Sequence, residues 1–287
     1  MSTNRSGENP ILARHPCFNE LAHAMVGRVH LPVAPRCNIQ CAFCERRVCA
    51  NLTMQHPGWA REVLSVDEAL ARVEGLVAER PGEPFVVGVA GPGEPLANEA
   101  TLETLAAVHD AFPHLMTCLS SNSLLLEDRL SQLVEAGVVA VTVTMNAAEP
   151  SVAERVYLWA RYRGRTYRGA EAAALIVERQ FAGVRAALAA GLAVKVNTVA
   201  IPGINLGDDG PGHVVELAAR LRDLGVPLMN LMPLIPAGRL GDHRPPTCDE
   251  LRNARAACEA LLPQFRLCEH CRADIFHFPG SPRRSSA

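Results

Sequence analysis

The sequence predicts an α/β protein of parallel strands, a partial (β/α)6 TIM-like barrel with cysteine-bearing N- and C-terminal extensions. Three observations predict it. Short apolar segments alternate with amphipathic helical segments along almost the whole chain. Such alternation builds a parallel sheet with right-handed crossovers. The chain has 287 residues, 48% of them apolar, which suits one barrel-sized core. The units number about six, fewer than the eight of a closed barrel, so the barrel is expected to be open. Working residues then belong at the C-terminal ends of the strands.

Residues 1–14 are expected to be a disordered N-terminal tail and 279–287 a disordered C-terminal tail, leaving 15–278 as one folded domain. Within it, RVHLPVA (28–34) is a short apolar strand. SVDEALARVEGLVAER (65–80) is a helix opened by a capping box, Ser65 with Glu68, and its Leu70, Val73 and Val77 share one face. FVVGVA (85–90) is a buried strand and 101–112 a helix. Residues 114–121 form a strand, and 124–137 a helix stopped by Gly137. VVAVTVTM (138–145) is a strand rich in β-branched residues. A long helix over 170–190 ends at Gly191, and AVKVNTVAI (193–201) is the next strand. A helix over 213–225 leads to a strand over 227–234. The last helix, 247–262, has a second capping box, Thr247 with Glu250.

The formal net charge is -2 and the pI about 6.6, so no basic field points to nucleic acid or a membrane surface. There is no apolar run of transmembrane length and no signal-peptide core, so a cytoplasmic protein is expected. Ten cysteines stand out. In a chain of this size, without an export signal and in a reducing compartment, clustered thiols read as metal ligands rather than disulfides.

Cys37, Cys41 and Cys44 lie on one loop directly after the first strand. Iron–sulfur clusters usually take four thiolates, so a loop offering three leaves one iron open for a substrate or cofactor. The alternative is a structural zinc knuckle, which more often uses a two-residue gap and a second pair that closes a tetrahedral site. With Phe43, the spacing resembles the radical S-adenosylmethionine (SAM) superfamily. That resemblance implies a 4Fe–4S cluster on Cys37, Cys41 and Cys44, whose open iron binds SAM for cleavage to a 5′-deoxyadenosyl radical. The turn Gly91-Pro92-Gly93-Glu94-Pro95 is similar to the superfamily's glycine-rich turn, which implies that Gly91, Gly93 and Glu94 hold the SAM amino end. At later strand ends Ser120, Ser121, Asn122, Thr144, Asn146 and Asn197 supply polar groups for the rest of SAM. Turn capping is the competing reading for each of them.

Seven cysteines remain. Cys258, in an alanine-rich helix face, reads as a small buried apolar residue, and Cys248 has no ligand nearby in sequence. A lone Cys118 in a strand would usually be core, and the Cys268/Cys271 pair alone could be zinc-binding or redox-active. The wider match decides. HPCFNELAHAMVGRVHLPVAPRCNIQCAFC, VVGVAGPGEPLAN, VTVTMNA, RYRGRTYRGAEAA, KVNTVAIPGIN and CEHCRAD together resemble the NifB family of nitrogenase cofactor maturases, over nearly the whole chain.

The resemblance implies fusion of two auxiliary 4Fe–4S clusters with insertion of a SAM-derived carbide, giving an 8Fe precursor of the nitrogenase cofactor. It implies His23, Cys268 and Cys271 as ligands of one auxiliary cluster and Cys17, Cys49 and Cys118 of the other. A histidine is displaced more easily than a thiolate, so His23 is expected to act as a release point. It also implies as partners iron–sulfur cluster donor and acceptor or carrier proteins and an electron donor. The chain departs from the family after the cysteine loop. Val48 precedes Cys49 where an acidic residue is usual, and LTMQHPGW (52–59) replaces a Glu-Ser-Arg-Pro-Gly run, with Gln55 and His56 as the available substitutes. Two other readings stand beside this one: a radical SAM enzyme whose auxiliary clusters serve a small molecule or peptide, and a non-catalytic iron–sulfur carrier.

Overall fold

The computed structural model describes residues 9–51, 56–207, 210–268 and 270–280, and the backbone of 284–285. Helices α1 (Pro10–Arg14) and α2 (Glu20–Met25) lead into strand β1 (Gly27–His30). Three short strands follow: β2 (Ile39–Cys41), β3 (Arg47–Val48) and β4 (Trp59–Ala60). Helices and strands then alternate through α3 (Val66–Glu79), β5 (Phe85–Val89), α4 (Glu99–Ala111), β6 (Met116–Ser121), α5 (Leu130–Glu135), β7 (Val138–Thr144) and α6 (Pro150–Val156). A hairpin, β8 (Tyr157–Tyr162) with β9 (Arg165–Arg168), precedes α7 (Gly169–Ala189) and β10 (Ala193–Ala200). After α8 (His213–Asp223), β11 (Leu228–Pro233) and α9 (Cys248–Glu259), the chain closes on β12 (Ile275–His277) and β13 (Arg284–Ser285).

Six strands pair in parallel in the order β11-β10-β7-β6-β5-β1. These are the six read from the sequence, and they form the expected open half-barrel. β12 and β13 extend it antiparallel beyond β1. The strands are apolar because both faces are covered: helices pack outside, as α4 does on β6, α7 on β10 and α9 on β11. Both expected capping boxes form, Ser65 with Glu68 and Thr247 with Glu250.

Side chains alternate along each strand, so register decides what meets on the inner face. His30 pairs with Gly88, Gly88 with Cys118 and Cys118 with Ala140. One row up, Ser120 pairs with Thr142 and Thr142 with Lys195, while Thr144 pairs with Asn197. The N-terminal extension lies against this face. The buried Lys195 donates to the Cys17 carbonyl at 2.7 Å, and its ammonium sits over the Phe18 and Phe265 rings.

Three expectations are corrected, and one sheet is new. Residues 10–14, read as disordered tail, form α1, with the Asn9 side chain accepting from the Ile11 N–H and donating to the Gly191 carbonyl. In the C-terminal stretch read as disordered, 284–285 pair with 275–276; residues 1–8, 281–283 and 286–287 lie outside the described residues. The helix read over 124–137 contracts to 130–135, because Asn122 accepts from the Leu124 N–H and Ser123 sits at φ 65°, winding 123–129 into turns instead. The sheet β2-β8-β9 was not expected at all.

Candidate active site

The cysteine loop is fixed from several sides. Gly93 and Glu94 donate their N–H groups to the carbonyls of Ala34 and Arg36, at 2.6 and 2.9 Å, just before Cys37. Asn98 grips Arg36 from both sides, donating to its carbonyl and accepting from its N–H. Cys41 ends β2, which pairs with β8, and Ala42 N–H donates to Val156 at 2.7 Å. The Gln40 amide donates to the carbonyls of Cys41 and Cys44, and Arg46 holds Gln40 in turn.

None of the ten cysteines is in a disulfide. Burial pushes all three loop thiols up, Cys37 to about 11, and Cys41 well above its ordinary range with Cys44 and Cys37 adding to the effect. Three buried thiols that resist ionisation singly become thiolates when a metal takes their protons. The donor set and its rigid loop therefore fit an iron–sulfur cluster.

The glycine-rich turn supports that loop. A Cβ on Gly93 would meet Arg36 O at 2.3 Å, and Gly91 has a positive φ of 144°. Glu94, 4% exposed, accepts from Ser121 Oγ and Asn122 N–H, both at 2.7 Å, and from Leu96 N–H at 3.1 Å. Burial outweighs those bonds and lifts its carboxyl to about 7. Ser121 and Asn122 are thus spent on Glu94 and the following turn, and Asn122 also donates to Asn38. Asn146 bridges Val199 N–H and Tyr157. These three are hydrogen-bonded within the turn and core. Ser120, Thr144 and Asn197 instead line a cavity.

That cavity, about 160 Å³, brings together Cys17, Cys118, Cys268 and Cys271 with His15 and His30. A neighbouring space of about 130 Å³ reaches Phe43, Cys44 and His56. Thr144, Met232 and His270 line both, so the cluster loop and the four-thiol cavity share one wall. The closing segment is held by a buried ion pair, Arg272 to Asp274 through two bonds of 2.8 and 2.7 Å, while Asp274 also accepts from Arg61 N–H. Burial and Cys17 push the Cys118 thiol far up.

Two expected ligands are not among the cavity's lining residues. His23 donates from Nδ1 to the Pro16 carbonyl at 2.9 Å, is approached by Arg28, and packs its ring on Phe265. Its contacts are thus with Arg28 of β1 and with Phe265, beside the cavity lining rather than in it. Cys49 is exposed, its N–H bound to Ala60 O at 3.0 Å. Of the substitutes in the altered segment, Gln55 lies outside the described residues, and His56 is buried, stacked on Trp59. Cys258 is buried in α9, as expected, and Cys248 is exposed.

His15 and His30 are not singled out by the sequence. His30 Nδ1 lies 3.0 Å from Arg272 O. A carbonyl only accepts, so Nδ1 carries the proton and Nε2 keeps its lone pair. A Cβ on Gly88 would lie 2.9 Å from Cys118 Sγ and 3.4 Å from His30 Cδ2, so only a glycine separates the two side chains. His30 falls inside the strand read over 28–34; it ends the observed β1 (Gly27–His30), where working residues belong. His15 precedes Cys17 by two positions, too common a pattern to read alone.

Residues 31–210 match the model of the Radical SAM superfamily. The chain is 44% identical over 260 residues to the FeMo cofactor biosynthesis protein NifB of Methanocaldococcus jannaschii, covering 91% of this chain and 84% of that one. It is 42% identical to the protein of the same name from Methanocaldococcus infernus, covering 92% and 85%. Against the Klebsiella pneumoniae protein of that name it is 39% identical over 279 residues, 94% of this chain and 58% of the longer relative.

Proposed function

Because this chain belongs to the radical SAM superfamily and, within it, to the family of FeMo cofactor biosynthesis proteins NifB, we propose that it fuses two 4Fe–4S clusters around a carbide taken from SAM. The chain is a radical SAM enzyme, with a 4Fe–4S cluster and SAM as cofactors. The two further clusters are its substrate, and the product is an 8Fe precursor of the nitrogenase cofactor.

The observation that carries the reading is the shared wall between the Cys44 space and the four-thiol cavity. It supports a reading in which radical chemistry starts beside the pocket that takes iron and sulfide. Cys37, Cys41 and Cys44 would hold the cluster, at which one SAM would supply a methyl group and a second SAM, with an electron from a reductant, a 5′-deoxyadenosyl radical. This chain's residues do the rest. The Gly93–Glu94 turn fixes the loop, and Glu94 sets a buried acid near the ammonium end of SAM. Ser120, Thr144 and Asn197 offer polar contacts above the substrate cavity.

For the substrate clusters we assign Cys17 and Cys118 with His30 to one side of the cavity, and Cys268 and Cys271 to the other. His30 is assigned the place expected of His23, since its Nδ1–H bond to Arg272 leaves Nε2 unprotonated and its ring lies across Gly88 from Cys118, as in metal ligands whose second ring nitrogen is fixed by a hydrogen bond. Cys49, exposed just after β3, completes the set.

An electron donor fits beside the loop. Hairpin β8–β9 exposes Arg161, Arg163, Arg165 and Arg168, and β8 pairs with β2, the strand that carries Cys41. A small acidic redox protein suits that surface. The cytoplasm, cluster donors and a product acceptor belong to the same reading. Among the described residues no helix is long and apolar enough to cross a membrane.

Anaerobic purification and an iron count test the proposal. Three clusters give about twelve irons per chain, one gives about four. His30→Ala is expected to lower the count and His23→Ala to leave it. Four irons in the fully loaded wild type, with deoxyadenosine still formed, would instead favour a radical SAM enzyme acting on an organic substrate.

A further inference from the structure

His15 is 1% exposed and lines the cavity with Cys17 and Cys118. Its Nδ1 accepts the Cys17 N–H at 3.1 Å. That bond uses the Nδ1 lone pair, so in the neutral ring the proton sits on Nε2. Nε2 is buried and finds no hydrogen-bond partner among the described residues. The main chain around it leaves no slack: His15 N–H donates to Ile11 O, and its carbonyl accepts from both Phe18 and Asn19. The ring is braced edge-on against Phe18 at 4.9 Å. A buried donor left without an acceptor is costly, and the nearby Lys195 is itself a donor, committed to Cys17 O.

His15 and His30 therefore have opposite polarity on one cavity. His30 gives its proton to Arg272 O and presents a lone pair. His15 accepts a hydrogen bond from Cys17 N–H at Nδ1 and presents an Nε2–H. The first suits an iron, the second a sulfur.

Resting on the proposed cluster-binding role of this cavity, we infer that His15 is a positioning residue. Its Nε2–H donates to a sulfide of the cluster held at Cys17 and Cys118 and does not ligate iron. Hydrogen bonds to cluster sulfurs stabilise the more negative, reduced state and raise the reduction potential. The bond also orients that sulfide, so one face of the substrate is pinned while another stays open toward the Thr144 wall.

The test compares His15→Phe, which keeps the ring volume and loses the donor, with His15→Gln, which keeps an N–H near the same point. Both are purified anaerobically and reconstituted beside the wild type. Expected are wild-type iron counts in both, a lower midpoint potential for the cavity cluster in His15→Phe, and a near-wild-type potential in His15→Gln. Electron–nuclear double resonance after exchange into deuterium oxide is expected to show an exchangeable proton coupling in wild type and His15→Gln that is missing in His15→Phe. If His15→Phe folds poorly, wild type and His15→Gln still decide: absence of that coupling in both overturns the inference. An unchanged potential in fully loaded His15→Phe also overturns it. So does loss of a ligating-nitrogen signal in His15→Gln, which would make His15 an iron ligand. A wild type with only the SAM-binding cluster would instead defeat the cluster-binding role, so the two failures are distinct.

Discussion

At the scale of single residues, the site depends on close approach. Gly93 is the sharpest case, since any Cβ would lie 2.3 Å from the carbonyl of Arg36, next to Cys37. Gly93→Ala is expected to displace the loop and remove about four irons per chain, measured by iron analysis. Gly75→Ala, in α3 with nothing within 4 Å of the new atom, is the control. It should keep its iron and gain about 0.5–1 kcal/mol of stability. Glu94 gives a pH prediction. Its carboxyl is raised from 4.5 to about 7 in the fold, so between those values the folded state holds a proton that the unfolded chain has released. Stability is greatest below about 4.5 in this respect and is lost as pH rises through 7, by at most about 3 kcal/mol. Denaturant unfolding of the apoprotein across that range should show the decline in wild type and a flatter curve in Glu94→Gln; parallel curves would refute it. The three loop cysteines were legible because their spacing is local. His30 was not, because its role comes from register: only pairing of β1 with β5 and of β5 with β6 puts it across Gly88 from Cys118.

At the scale of elements, the six parallel strands were legible because buried parallel strands are continuous apolar runs. The hairpin β8–β9 was not. Its tip and second strand, RYRGRTYR, are too charged to read as strand, and Ile39–Cys41, which pairs with Tyr157–Ala160, is too short to read as anything. Helix 124–137 failed for the opposite reason, a good helical pattern overridden by Asn122 and Ser123 serving the Glu94 network. The hairpin yields its own prediction. Arg161→Glu with Arg165→Glu should slow cluster reduction by an acidic flavodoxin by roughly tenfold at low salt and leave reduction by dithionite unchanged. Equal slowing of both would mean that the hairpin supports the loop rather than a partner.

At the scale of the molecule, an open half-barrel explains how one chain can serve both a radical source and an inorganic substrate. The loop after β1 closes one end of the inner face. The extensions that carry Cys17 and the Cys268/Cys271 pair close the rest, bound through Lys195 and through the Arg272–Asp274 pair. A closed barrel would leave no mouth for a cluster to enter and an 8Fe product to leave. The central claim is that the carbon of SAM ends inside iron and sulfur. It is tested by supplying the anaerobically loaded protein with dithionite and SAM radiolabelled in its methyl group, then extracting the iron–sulfur product. Label held in an extracted species of about eight irons is the predicted result. Deoxyadenosine formed while all label stays in SAM, its organic products or the polypeptide would contradict it.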